Sequence, residues 1–182
     1  MEKDISVSFA KANVLGILFP LPIALFFSLF YGSWWGFSGI FLLVKNPSFL
    51  SQMIIAIVTG SVFHEFVHGF SWIYFGRKPV RTIRYGIHWK SLSPYAHCSE
   101  PIDARAYRIG SVMPYLLEGL LPSILAVITG SEWLMIFGLL FTLGAGGDLL
   151  VLWIIREVEP HVLVRDHPTR VGCSLLLPDE TQ

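Results

Sequence analysis

Two histidines and a glutamate, His64, Glu65 and His68, lie in an otherwise apolar stretch and form the pattern H-E-x-x-H. On a helix, residues four positions apart face the same side about one turn apart, so both imidazoles can bind one metal ion. Glu65 projects from a neighbouring side, from which a carboxylate can deprotonate water bound to that ion. The three residues therefore predict a metal centre that activates water.

The composition indicates that this centre lies in a membrane. Hydrophobic residues make up 53% of the chain, charged residues make up 14%, and the mean hydropathy is +0.60, values typical of integral membrane proteins. Lys plus Arg and Asp plus Glu number 13 each, so no net basic charge favours a nucleic-acid partner. Cys98 and Cys173 are the only cysteines and belong to no Cys-x-x-Cys pair. The metal ligands are therefore expected among His and carboxylate residues.

Apolar segments predict an all-α polytopic membrane protein that forms a single domain over residues 1–182. Helices of about 20 residues cross a bilayer, and four segments are long enough: 12–31, 49–75, 111–129 and 132–155. A shorter stretch at 34–44 predicts a re-entrant or interfacial piece. Lys and Arg concentrate before the first span, in the loop 76–110 and in the tail 156–182. The positive-inside rule therefore predicts that both termini, this loop and the tail are cytoplasmic.

A third metal ligand is expected from a carboxylate at the same depth as the histidines. Asp148 precedes Arg156 by eight residues, as His68 precedes Gly76, which places both about 12 Å from a cytoplasmic helix end. Small residues before Asp148 allow close approach to a neighbouring helix. Glu118 lies at a similar depth in the third span. It remains the alternative third ligand, or a group that orients a histidine N–H.

The central loop predicts a short β-hairpin beside the centre. Residues 82–90 alternate apolar and polar side chains, 91–94 predict a turn, and 95–99 predict a return strand. Such a hairpin could bind a substrate segment as an added strand, or it could simply cap the mouth of the site. His97 in this loop is a candidate for substrate binding or for stabilising an oxyanion. The prolines of the tail predict short pieces and no second domain.

The arrangement of H-E-x-x-H late in one membrane helix and Asp after a glycine-rich stretch in a later helix resembles the site-2 protease group of intramembrane zinc metallopeptidases. The chain is more closely similar, over about 60–156, to the small bacterial membrane proteins of the putative zincin peptidase family. Two further stretches carry this resemblance, Pro-Tyr-Ala-His-Cys at 94–98 and Arg-Ala-Tyr-Arg-Ile-Gly at 105–110.

The resemblance implies a Zn²⁺ ion bound by His64, His68 and Asp148, with Glu65 as the general base. It also implies a membrane-protein or peptide substrate and a place in the bacterial plasma membrane. One departure concerns the residues before the aspartate, because many site-2 proteases have Asn-Pro where this chain has two glycines, at 146–147.

The sequence thus favours a zinc metalloendopeptidase that acts in or at the membrane, and two other functions remain open. The first is a non-catalytic metal-binding membrane protein that serves as a sensor or scaffold. Glu65 argues against it, because a structural metal site needs no base beside an open coordination position. The second is a small transporter, which would show internal repeats or matching broken helices in its two halves.

Overall fold

The protein is mostly helical in the computed structural model, which describes residues 2–89, 93–167 and 170–177. Eight α-helices follow one another in the described chain: α1 (Phe9–Leu18), α2 (Leu21–Trp35), α3 (Ser38–Val44), α4 (Phe49–Tyr74), α5 (Ala104–Pro114), α6 (Leu121–Thr129), α7 (Glu132–Gly144) and α8 (Gly146–Ile154). A π-helical segment, Tyr115–Leu120, joins α5 to α6 without a break. A short 3₁₀ turn, Val80–Thr82, precedes the first strand of the central loop.

Among the described residues, three helical runs are long and apolar enough to cross a membrane: Ala10–Trp35, which comprises most of α1 and all of α2, Phe49–Tyr74 and Ala104–Thr129. They contain nearly all of the first three predicted spans. The predicted fourth span, 132–155, corresponds to α7 and α8, which are bent by 43° relative to each other and together also have the required length and hydropathy. The stretch 34–44 contains the end of α2 and the short helix α3, and its predicted re-entrant path stays a prediction.

A four-stranded antiparallel sheet joins three distant parts of the chain. Its strands are β1 (Glu2–Val7), β4 (Ile102–Asp103), β5 (Leu163–Asp166) and β6 (Val171–Leu176), in the spatial order β1-β6-β5-β4. Strands β1 and β6 pair over six residues, from Glu2 opposite Leu176 to Val7 opposite Val171.

This sheet corrects the all-α prediction. The chain is mostly helical, as predicted, but it also contains strands. Strand β1 is rich in charge and has no clear apolar alternation, and the tail is interrupted by prolines. Strand preference depends strongly on the pairing partner. Here the partner lies more than 160 residues away along the chain, so no local pattern could reveal it.

The central loop forms a second, two-stranded antiparallel sheet of β2 (Ile83–His88) and β3 (Ser93–Cys98), with Arg84 opposite His97. Both strands coincide closely with the predicted ones, although residues 93 and 94, assigned to the turn, already belong to β3. Residues 90–92, which are the last residue of the predicted first strand and the first half of the predicted turn, lie outside the described residues. The β2–β3 pair packs on α4 at Gly69, where a Cβ would lie 2.1 Å from the hydroxyl of Tyr85. Glycine at this position therefore lets the strands approach the motif helix.

The main buried core lies between the sheets and helices α4, α5 and α8. Its largest members include Trp72, Tyr107 and Ile155, together with Val164 from the tail. The rings of Trp72 and Tyr107 stack almost in parallel, with centroids 6.2 Å apart. This core fixes the motif helix against α5 and α8, the helices that carry the other residues of the candidate site.

Candidate metal centre

The two motif histidines lie one turn apart on α4 and turn the same ring nitrogen toward one carboxylate. Nε2 of His64 is 3.1 Å from Oδ2 of Asp148, and Nε2 of His68 is 3.4 Å from Oδ1 of the same residue. The side-chain donor atoms of His64, Glu65 and His68 also lie within 4.8 Å of one another. Asp148 thus faces both imidazoles, and Glu65 lies close to them.

The other ring nitrogen of each histidine has a separate partner. Nδ1 of His64 is 3.0 Å from Oε2 of Glu118, and Nδ1 of His68 donates to the backbone carbonyl of Gly110 at 2.9 Å. A histidine that donates from Nδ1 leaves the lone pair of Nε2 available for a metal ion. Both rings are therefore oriented as metal-binding imidazoles require.

Proline explains why the carbonyl of Gly110 is available to His68. In a regular helix this carbonyl would accept the N–H of residue 114, but residue 114 is Pro114 and has none. Gly110 also allows the helices to approach, since a Cβ there would lie 2.2 Å from Nε1 of Trp72. Pro114 thus leaves the Gly110 carbonyl free, and the absence of a side chain at Gly110 lets α4 come close enough for His68 to donate to it.

Glu118 reaches His64 from the π-helical segment that follows Pro114. A π-helix has one extra residue per turn and often occurs at functional sites. The Glu118 side chain is only 4% exposed. Its second oxygen, Oε1, is buried without a hydrogen-bond partner among the described residues, as is the hydroxyl of Thr142.

Asp148 lies in the first turn of α8, immediately after the bend that separates α7 from α8. The bend brings Gly146 against Gly16 of α1, so closely that a Cβ on Gly146 would lie 1.6 Å from the Gly16 carbonyl oxygen. At the other end of α8, the Arg108 guanidinium donates to the carbonyls of Ile155 and Val158. Cationic groups stabilise helix C-termini, so both ends of α8 are held in place.

Glu65 connects the motif helix to the central loop. Its Oε2 accepts the backbone N–H of Ala96 in β3 at 2.7 Å. Glu65 also lines the cavity that contains His64 and His68. The hydrogen bond from β3 thus fixes one oxygen of this carboxylate beside the motif histidines.

This cavity has a volume of about 660 Å³ and extends from the motif residues to the sheet. His97, the candidate from the central loop, lines it, with Nδ1 3.3 Å from Oδ2 of Asp166 in β5. The hydroxyl of Tyr107 donates to the other oxygen of Asp166. Asp166 was not predicted as a site residue, because only pairing of the tail brings it to the cavity.

The donor atoms fit zinc better than the harder divalent cations. Zn²⁺ prefers imidazole nitrogen with a limited number of carboxylate oxygens, whereas Mg²⁺ and Ca²⁺ are usually surrounded by oxygen. Imidazole nitrogens whose far side is hydrogen-bonded to a carboxylate or a carbonyl are also typical of zinc sites. His64 and His68 meet both criteria.

The comparison with known protein families agrees with this chemistry. Residues 57–163 match a family described as "Putative zincin peptidase", and the matched region contains the whole H-E-x-x-H motif, Glu118 and Asp148. No curated protein and no solved structure matches the chain. Since the match covers more than half of the sequence, the chain belongs to the putative zincin peptidase family.

Proposed function

We propose that this protein is a membrane zinc endopeptidase in which His64, His68 and Asp148 bind Zn²⁺ and Glu65 is the general base. One observation carries the proposal: both Nε2 atoms face the same Asp148 carboxylate, while both Nδ1 atoms have other partners. Three protein ligands leave a coordination position for water, as catalytic zinc requires. When bound, the ion would supply a Lewis acid that acidifies water and polarises a peptide carbonyl.

Glu65 supplies the proton transfer in this mechanism. The Ala96 N–H holds Oε2, so the carboxylate can accept a water proton at Oε1 without rotating away. The same group then returns the proton to the amine that leaves when the peptide bond breaks. Positioning by β3 thus keeps the base beside the histidines throughout the reaction.

Glu118 fits the role of an orienting residue better than that of third ligand. It contacts Nδ1 of His64, the nitrogen directed away from Asp148. A carboxylate at that position fixes the tautomer of a zinc-bound histidine and makes its Nε2 a better ligand. This assigns different roles to the two carboxylates, which depth in the membrane alone did not distinguish.

The four-stranded sheet supports the four predicted spans. Strand β1 precedes the first helical run, β4 lies between the second and third, and β5 and β6 follow α8. Strands that pair in one sheet outside the bilayer must lie on one side of it. The chain must therefore cross an even number of times between β1 and β4 and again between β4 and β5. In this proposal the bent pair α7–α8 is the return crossing, and the positive-inside rule predicts that the sheet lies in the cytoplasm.

A zinc and turnover measurement on the detergent-purified protein tests the proposal. The wild type should bind one zinc ion and cleave dye-quenched casein. Glu65→Gln should retain zinc and lose at least about 100-fold in rate, whereas His64→Ala should lose both. Glu157→Gln is the matched control, because this side chain is 80% exposed and distant in sequence from the motif. Full activity in Glu65→Gln, or a wild type without zinc, would refute the proposal.

A further inference from the structure

A second histidine–carboxylate pair, His97 and Asp166, lines the cavity that contains the motif residues. His97 belongs to β3 and Asp166 to β5, so the pair connects the two sheets. The His97 side chain is 42% exposed, whereas that of Asp166 is 22% exposed. The imidazole is therefore the more accessible partner.

The two oxygens of Asp166 each receive a different donor. Oδ2 faces Nδ1 of His97 at 3.3 Å, and Oδ1 accepts the buried hydroxyl of Tyr107. The Tyr107 ring is itself fixed by stacking on Trp72. Because Nδ1 is directed at Asp166, Nε2 is the nitrogen left to interact with a molecule in the cavity.

The surroundings of His97 favour its cationic form. Hydrogen bonding to Asp166 raises the pKa of His97 above its usual value, and this outweighs the opposing effects of burial and of Arg84, its cross-strand neighbour. His167 and Arg170 also line the cavity. A protonated His97 has an N–H at Nε2 and can donate a hydrogen bond from it.

We propose that Asp166 is a positioning residue that holds His97 so that its Nε2–H donates to the peptide carbonyl oxygen as negative charge develops there. The proposal rests on the proposed function, because this negative charge develops only when a water molecule deprotonated by Glu65 attacks the peptide carbonyl. Donors aimed at a developing oxyanion contribute strongly to catalysis in enclosed sites. Asp166 lies beyond the matched family region, which ends at residue 163, so the tail of this chain would complete the cavity.

The geometric part can be tested without turnover, by nitrogen NMR of ¹⁵N-histidine-labelled protein in detergent micelles. His97→Gln identifies the resonances of His97. In the wild type, Nδ1 should stay protonated throughout the titration, and the apparent pKa of the ring should exceed the usual histidine value of about 6.5. In Asp166→Asn this pKa should fall, and the Nε2–H tautomer should grow, because an amide offers one acceptor where the carboxylate offers two. An unchanged His97 in Asp166→Asn would overturn the assignment.

The functional part is tested by a double-mutant cycle on dye-quenched casein. His97→Gln should lower kcat about 100-fold, with little change in KM or zinc content. Asp166→Asn should lower kcat about 10-fold and have no further effect in the His97→Gln background, because it acts through His97. His161→Gln and Asp103→Asn are the matched controls, and both should retain wild-type activity. If the losses in kcat caused by His97→Gln and Asp166→Asn were additive in the double variant, the positioning role of Asp166 would be overturned. If the wild type cleaved nothing, the proposed function would fail, and NMR would still decide the geometry of the pair.

Discussion

The close contact between Gly146 and Gly16 predicts that one methyl group added at position 146 disrupts the proposed metal centre. In Gly146→Ala, the new Cβ would lie 1.6 Å from the Gly16 carbonyl oxygen and 2.5 Å from its carbon. Both atoms belong to the backbone, so no side-chain rotation can relieve the overlap. Nonbonded atoms must stay about 3.0 Å apart, so the backbones of α1 and α8 must separate by about 1.4 Å.

The displacement would act directly on Asp148, the proposed third ligand. Asp148 is two residues from the site of the clash and lies 3.1 Å and 3.4 Å from the two histidine nitrogens. A shift of about 1.4 Å is too large for a zinc–ligand bond, whose length is specified within about 0.2 Å. We expect the zinc dissociation constant to rise at least about 100-fold, equivalent to about 2.8 kcal/mol.

Zinc affinity and thermal stability in detergent would measure this effect. Titration against a fluorescent chelator gives the dissociation constant, and Gly147→Ala provides the matched control on the same helix. A Cβ at Gly147 would meet nothing within 4 Å, so this variant should bind zinc like the wild type and melt at the same or a higher temperature. Wild-type zinc affinity in Gly146→Ala would refute the idea that this contact positions Asp148.

Three further predictions follow from other contacts. Glu118→Gln should weaken zinc binding about 10- to 100-fold in the same titration, since an orienting partner is altered while the ligands remain. Arg108→Ala should lower the free energy of unfolding by about 2 kcal/mol, because the carbonyls at the end of α8 lose charge-assisted hydrogen bonds. Urea titration measures this loss, and Arg105→Ala, an exposed neighbour on α5, should change little. Because the pKa of His97 is raised, its pairing with Asp166 should stabilise the fold fully below pH about 6.5 and progressively less as the pH rises through the folded-state pKa. The difference in melting temperature between wild type and Asp166→Asn should therefore shrink in alkaline buffer.

The sequence was informative where local pattern determines structure. The spacing of His64 and His68 predicted two imidazoles on one face of a helix, and the structure has them on α4, one turn apart. Alternation in the central loop predicted strands close to β2 and β3. Hydropathy located the apolar helices because lipid imposes a minimum length on each crossing.

Features that depend on distant contacts were not predictable in the same way. The sheet depends on β1 pairing with β6, and the contact of His97 with Asp166 depends on that sheet. The proposed role of Glu118 depends on a π-helical segment. Such a segment changes the angle between successive residues, so the direction of the Glu118 side chain cannot be predicted by counting 3.6 residues per turn. One missed feature did leave a local signal: Pro114, four residues after Gly110, indicates a free carbonyl that a buried histidine could use.

The spatial order of the four-stranded sheet has a consequence for synthesis on the ribosome. Strands β5 and β6 occupy the two interior positions but are translated last, so the earlier strands β1 and β4 lack partners until the tail emerges. Until then the cavity also lacks Asp166. We therefore expect the proposed site to be complete only after residues 163–176 have been translated, and these residues follow all eight described helices in the chain.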